Sequence, residues 1–325
     1  MPIRKAHLDR RNTGVYHSLR RCPMSYLRMK SIDVFKEIDT EEDAREWVWK
    51  CRFGGKSFIC PACGNESYWQ HQSRLEIRQC DSCRKQVRVR AGTIFEHSKL
   101  PLLIWVKAIG FVMQGKRGMA AEELKRHLGK RYETVWGMLH KIRESFRQKD
   151  EAYQLKGIIE LDGAVFGKKD RENQAEVLVA IESKEWVDEK GRKKEKAGFA
   201  KVKVAAETKQ EAQEFVDQTM EIGSFVNTDA SPALRKLQGV EADYRVMAND
   251  PKALESWLPW VHRFISNAKA WIIGTHHGVD AKYLERYLSE YAYRFNRRHD
   301  PDSLFHRALT ACALAKPITL DALCG

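Results

Sequence analysis

Four cysteines stand in two close pairs, Cys60 with Cys63 and Cys80 with Cys83, with sixteen residues between the pairs. A C-x2-C turn brings two thiolates to one side of a tight loop, and two such turns supply four sulfurs in a tetrahedral set suited to Zn2+. Four protein ligands leave no open coordination position, so the expected zinc is structural. The stretches SYWQH and LEIRQC between and beside the pairs alternate as a small β-ribbon would, and the KQVRVRAGTIF that follows is basic and β-prone. The remaining cysteines, Cys22, Cys51, Cys312 and Cys324, are scattered. That pattern belongs to metal binding in a reducing compartment and not to a secreted disulfide framework.

A second set consists of carboxylates. GIIELDGAVFG is an apolar strand with Asp162 at its middle, and GSFVNTDASPALRKL reads as a strand ending in Asp229 with a helix after it. Two carboxylates on adjacent strands make a hard-cation site for Mg2+ or Mn2+. A pair of such ions stabilises both the attacking and the leaving oxygen of a phosphodiester displacement.

The elements that must position these residues follow from periodicity. EVLVAIES (176–183) and FAKVKVAAE (199–207) read as strands, and the charged KEWVDEKGRKKEKAG between them reads as an exposed hairpin loop. KQEAQEFVDQTM reads as a helix and DYRVMAND as a short β-prone piece. Strand, strand, strand, helix, strand, helix is the order of an RNase-H-like α/β (α+β) fold, in which the first-strand and fourth-strand carboxylates lie side by side. Before it, PLLIWVKAIGFVMQ reads as a helix with Pro101 at its start. AAEELKRHL, Gly129 and YETVWGMLHKIRESF then give helix, glycine turn, helix. A helix-turn-helix reads the major groove with the N-terminus of its second helix. Lys130, Arg131, Tyr132 and Thr134 stand there and are the expected DNA-contacting residues.

The formal net charge is +13 over 325 residues, which points to nucleic acid as the partner. No run of about 18 apolar residues is present, so no transmembrane helix is expected. MPIRKAHLDRRN is charged and unlike a signal peptide, which suggests a cytoplasmic protein. The length suggests more than one domain. The expected division is an N-terminal extension over 1–45, a zinc ribbon over 46–95 and a helix-turn-helix region over 96–150. An RNase-H-like domain over 155–300 and a tail over 301–325 complete it.

The segment WVHRFISNAKAWIIGTHHGV, followed by LERYLSEYAYRFNRRHD, resembles the C-terminal signature of DDE-type transposases of bacterial insertion sequences, the ISXO2-like group with an N-terminal zinc ribbon. CPACG…CDSCRKQVRVRAGTIFEHSKLPLLIWVKAI resembles the front end of the same group. The resemblance implies an acidic triad plus a helical lysine, and in one branch histidine replaces the third carboxylate. Carried onto this sequence, the D-D-H-K set is Asp162, Asp229, His262 and Lys269. The first three would hold Mg2+ or Mn2+, and Lys269 would grip DNA. His262 and Lys269 are seven residues apart, nearly two helical turns on one face. Asn267 is a rival third residue, because related branches carry Asn there. Tyr287, Tyr291 and Phe295 recur at helical spacing as core, Arg297 and Arg298 could contact phosphate, and GTHHGV reads as a turn between helices.

The function so implied is binding of the element's terminal inverted repeats, then metal-dependent cleavage and transfer of DNA strands. Its partners would be double-stranded repeat and target DNA, with a homodimer or larger assembly in the synaptic complex. The alternatives are a DNA-binding regulator with an inactive C-terminal domain, and an RNase-H-like nuclease without transfer activity. Asp162 and Asp229 separate the first from the regulator, since carboxylates at core-strand ends repel DNA unless metal is bound.

Overall fold

A computed structural model describes residues 31–167, 174–187, 191–229, 231–245 and 256–324. The expectations placed on the first thirty residues, Cys22 among them, lie outside the described residues. The chain divides into two compact units. One runs up to Gly110 and includes Phe305–Pro317, and the other comprises Phe111–Leu304 with Ile318–Gly325. Among the described residues no helix is long and apolar enough to cross a membrane.

The first unit opens with helices α1 (Ser31–Glu37) and α2 (Glu41–Arg52), so a boundary at residue 45 falls inside α2. Thr40 and Asp43 form a capping box at the start of α2, satisfying two backbone donors that the first turn leaves without helical partners. A three-stranded antiparallel sheet follows: β1 (Tyr68–Gln70), β2 (Ile77–Cys80) and β3 (Gln86–Arg88), in that order. The buried Arg78 joins sheet to helix. Its guanidinium lies 4.8 Å from the Trp49 ring and 4.3 Å from the Tyr68 ring, and it pairs with Glu46. Glu41 accepts from the amides of Leu102 (2.8 Å) and Leu103 (2.9 Å), the first turn of helix α3 (Leu102–Gln114).

In the second unit α4 (Ala121–Leu128) ends at Gly129, whose φ of 59° is the left-handed conformation that a C-capping glycine adopts without strain. Helix α5 (Tyr132–Glu151) buries Val135, Leu139, Ile142 and Phe146. A five-stranded sheet is built from β4 (Ile158–Phe166), β5 (Ala175–Val187), β6 (Lys193–Val204), β7 (Phe225–Asp229) and β8 (Glu241–Arg245), in the order β6-β5-β4-β7-β8. β4 pairs antiparallel with β5 and parallel with β7, and helix α6 (Lys209–Thr219) makes the crossover from β6 to β7. This is the RNase-H-like arrangement. Ile159, Leu161, Leu178 and Val226 pack beneath Phe215 and Val216 of α6 on one face. On the other, Phe166, Val179 and Ile181 pack against helices α7 (Pro259–His276) and α8 (Ala281–Asn296). Helices α9 (Leu304–Leu314) and α10 (Leu320–Cys324) complete the chain.

The charged stretch after residue 183 is not simply a loop. β5 and β6 continue through it, pairing Lys184 with Lys196 and Glu185 with Glu195, because backbone pairing does not require an apolar face. Residues 188–190 lie outside the description. Nor does a helix follow Asp229 among the described residues. Ser231–Leu237 forms turns: the Asp229 side chain accepts from the Ser231 amide (3.0 Å), and Lys236 takes a left-handed φ of 61° that ends any helical run.

Candidate active site and metal centre

Cys60, Cys63, Cys80 and Cys83 bring their sulfurs within 4.8 Å of one another. Cys63 and Cys83 are exposed while Cys60 and Cys80 are buried. Turns at 61–63 and 81–83 return the chain sharply, with Gly64 (φ 75°) and Arg84 (φ 61°) in the left-handed region. The amide of Cys83 lowers the Cys80 thiol to about 6. Cys83 is pushed up to about 12 by its sulfur neighbours, Cys60 first, although the Lys85 amide favours its thiolate. One easily formed thiolate crowded by three more sulfurs is a donor set that a divalent cation such as zinc satisfies.

The acidic site is assembled over much longer stretches of chain. Leu161 of β4 is in register with Thr228 of β7, so Asp162 and Asp229 each stand one residue further along neighbouring parallel strands. Strand alternation turns Ile159 and Leu161 toward α6, and Glu160 and Asp162 toward α7. From α7, His262 brings its Nε2 to 3.6 Å from Asp162 Oδ2. Lys269, two turns on, holds its Nζ 5.5 Å from the centre of the Phe166 ring. Asn267 is exposed, whereas His262 and Lys269 are half-buried. The helix therefore presents the histidine to Asp162, and Asn267 is turned to solvent.

Burial raises the Asp162 carboxyl to about 7, and the negative charges of Asp229 and Glu207 add to the effect. The Gly163 amide and the Lys269 ammonium oppose it. Glu207 was not anticipated. It lies in the connection from β6 to α6, one residue before the α6 N-cap Thr208, and nothing in its sequence surroundings marks it. Its carboxylate occupies the space beside Gly163, where a Cβ would come within 1.9 Å of Oε2. The Ser231 hydroxyl donates to Glu207 while the Ser231 amide donates to Asp229, so one residue ties the two carboxylates together. Among the described residues, the cysteine set is the only group in which three or more ligand atoms converge within 4.8 Å. The acidic site is more open.

Of the expected DNA-contacting residues, Arg131, Tyr132 and Thr134 are exposed at the start of α5, and Lys130 is half-buried. Arg297 and Arg298 have partners within the protein. Arg297 pairs with Asp150 (2.6 Å), with its guanidinium carbon 3.5 Å from the Tyr293 ring centre. Arg298 donates to the carbonyls of Phe295 (2.7 Å) and Ala197. Both lock α8 to neighbouring elements, because carboxylate and carbonyl acceptors lie within reach at the helix end.

Residues 154–296 match the family model of the ISXO2-like transposase domain. The segment is an ISXO2-like transposase domain. Both strand aspartates and the whole of α7 and α8 fall within this transposase domain, whereas the cysteine ribbon and α4 lie before it. No curated protein matches the chain.

Proposed function

We propose that this transposase binds the terminal inverted repeats of its own insertion sequence and catalyses divalent-metal-dependent strand cleavage and strand transfer. The observation that carries the reading is the meeting of three chain segments. Asp162, at the middle of β4, and Asp229, at the end of β7, stand side by side on neighbouring parallel strands, and His262 stands 3.6 Å from Asp162. The oxygens of Asp162 and Asp229, with His262 nitrogen, suit Mn2+ or Mg2+, and Glu207 is a further carboxylate within electrostatic reach. The cradle at Gly163 that admits Glu207 supports this fit. When bound, such ions supply an activated water or 3′-hydroxyl and stabilise charge on the leaving oxygen.

The chain's own residues do the rest. Asp162 lies within β4 and Asp229 closes β7, so the sheet holds them in place. Lys269 supplies positive charge for a DNA phosphate on the same helix face as His262. The exposed N-terminus of α5, with Arg131, Tyr132 and Thr134, would read repeat DNA, while the cysteine ribbon, loaded with Zn2+, would contribute a basic surface. The proposed division is a ribbon over 46–95, a helix-turn-helix over 96–150 and a catalytic region over 155–300. Synapsis of two element ends calls for a homodimer or larger assembly.

The test is an assay with a labelled terminal repeat, a target plasmid and Mn2+. The wild type should release cleaved ends and join them to the plasmid. Asp162→Ala and Asp229→Ala should bind the repeat and do neither. Cutting by Asp162→Ala at the wild-type rate would overturn the reading, and cutting without joining by the wild type would make the protein a nuclease.

A further inference from the structure

Glu160 is a carboxylate on the buried face of β4, only 2% exposed, where alternation along an apolar strand calls for a hydrophobic side chain. The nearest elements explain its presence. The N-cap residue of helix α7 is Leu258, which makes no side-chain cap, and Pro259, the first helical residue, has no amide hydrogen. The next two amides, Trp260 and Val261, would be left without acceptors in the interior. Both donate to Glu160 Oε2, at 2.8 Å and 2.9 Å, across 100 residues of sequence. Burial pushes the Glu160 carboxyl up to about 7, while the amides of Val261 and Trp260 oppose the shift.

We infer that Glu160 is a positioning residue, whose cap on the first turn of α7 fixes His262 against Asp162. The geometry is direct. Glu160 and Asp162 are successive residues on one face of one strand, and Val261 and His262 are neighbours in the first turn of one helix. The clamp from Glu160 to Val261 and the 3.6 Å approach of His262 to Asp162 are therefore adjacent rungs between the same strand and the same helix. Rotating or withdrawing the first turn would break the second rung. Glu160 itself touches no substrate. Its role in metal binding rests on the function proposed above, but the positioning is testable without metal.

The experiment uses the full chain with 13Cε1-labelled histidine, and the His262 resonance is assigned by its loss in His262→Ala. In the wild type the resonance should shift on Asp162→Asn, because the two side chains are in contact. Glu160→Met keeps the volume and suits an apolar face, so the protein should fold, but the acceptor is gone. In that background the His262 resonance should move and lose its response to Asp162→Asn. Glu160→Gln keeps one acceptor oxygen and should restore both position and response. An unchanged His262 resonance and response in folded Glu160→Met overturns the inference, as does a failure of Glu160→Gln to rescue them. Mn2+ titration forms a second arm. Loss of an outer-shell partner typically weakens metal affinity by roughly 10- to 100-fold. Glu160→Met should do so in the wild-type background and add nothing in His262→Ala. A further loss in His262→Ala would mean that Glu160 acts by another route and would also overturn the inference. If the wild type takes up no Mn2+ that depends on Asp162, the proposed function fails, while the resonance data still decide the role of Glu160.

Discussion

The cysteine centre and the acidic centre place metal-binding residues in opposite ways. The cysteines come from two tight turns within 24 residues, and their sulfurs converge within 4.8 Å. Asp162, Asp229 and His262 span 101 residues and depend on a strand register and on a helix start. In the first centre a bound metal would organise the chain. In the second the chain is already organised, and the fold holds carboxylates close together at an energetic cost. The buried Asp162 carboxyl, raised to about 7, records that cost. A site that unfolds without its ion is structural, and one that stands strained without it is ready for exchangeable ions and substrate.

The largest expected effect falls on the cysteine side. Cys60→Ser should unfold the ribbon, since structural zinc contributes on the order of 10 kcal/mol to the folding of such modules. Metal analysis should find about one zinc per wild-type chain, and hydrogen exchange should show β1–β3 protection lost in the variant. A fully protected ribbon in Cys60→Ser, or wild-type protein without zinc, would erase the contrast.

Asp162→Asn should behave in the opposite way. Its folded-state pKa of about 7 lies above the ordinary 3.8, so folding favours the protonated form. The favourable contribution is complete below about pH 4 and is lost as pH rises through 7. In buffer free of Mg2+ and Mn2+, Asp162→Asn should therefore stabilise the second unit at pH 8 by on the order of 2 kcal/mol, and change little near pH 4. Cleavage should be abolished at either pH. Thermal unfolding at the two pH values checks this, and a destabilised Asn variant at pH 8 would show that the site is not strained.

What could be read from the sequence divides along the same line. The ribbon, α4, Gly129 and α5 rest on local signals, namely C-x2-C spacing, a glycine cap and 3.6-residue periodicity, and each stands where those signals put it. The strands carrying Asp162 and Asp229 were also legible, because their apolar runs are short and bounded. Glu160 could have been noticed as a charge two residues before Asp162 on one strand face, although its partners on α7 are 100 residues away. Glu207 sits in a polar connection and acquires meaning only when the fold brings it against Gly163. Arg297 and Arg298 carry no local signal of their partners, because a basic pair at a helix end looks alike whether it meets phosphate or, as Arg297 does, Asp150. Helix α5 also makes a contact that its own sequence does not announce. Arg143 on its buried face pairs with Glu290 of α8 at 2.8 Å, both almost wholly inaccessible. Removing everything after residue 150 would strip that partner from the helix.

Acid offers a third way to separate the centres, of intermediate size. His140 is fully buried among Trp136, Tyr283 and Tyr287, and burial lowers its pKa to about 3 from the ordinary 6.5. The unfolded chain takes up the proton below about 6.5 and the folded chain does not. The contribution to stability is therefore complete above 6.5 and is lost as pH falls toward 3. His140→Phe, which keeps an aromatic in the cluster, should flatten the loss of stability of the second unit between pH 7 and pH 4. The difference should be on the order of 2 kcal/mol. Exchange protection of β4 and β5 reports that unit apart from the ribbon, whose thiolates are also protonated in acid. An unchanged acid profile would mean that His140 takes up a proton in the folded state.

The smallest effect belongs to Lys269, and it tests whether charge beside the acidic centre serves the metal or the DNA. Lys269 lies on the α7 face that carries His262, nearly two turns away or about 10 Å along the axis. Its charge lowers the Asp162 pKa, but less than Asp229, burial and the Gly163 amide move it. Lys269→Ala should therefore leave Mn2+ affinity within roughly twofold, since the ligands and their helix are untouched. Strand cleavage should slow by roughly tenfold, as removal of one phosphate contact predicts, and the salt dependence of repeat binding should fall by about one charge. Lys269→Arg keeps the charge and should recover most of the rate. The decisive measurement is the split between metal affinity and rate. If Lys269→Ala lost Mn2+ affinity in step with cleavage, the lysine would be holding the acidic centre together, and that centre would be less preorganised than its position on paired strands and a capped helix implies.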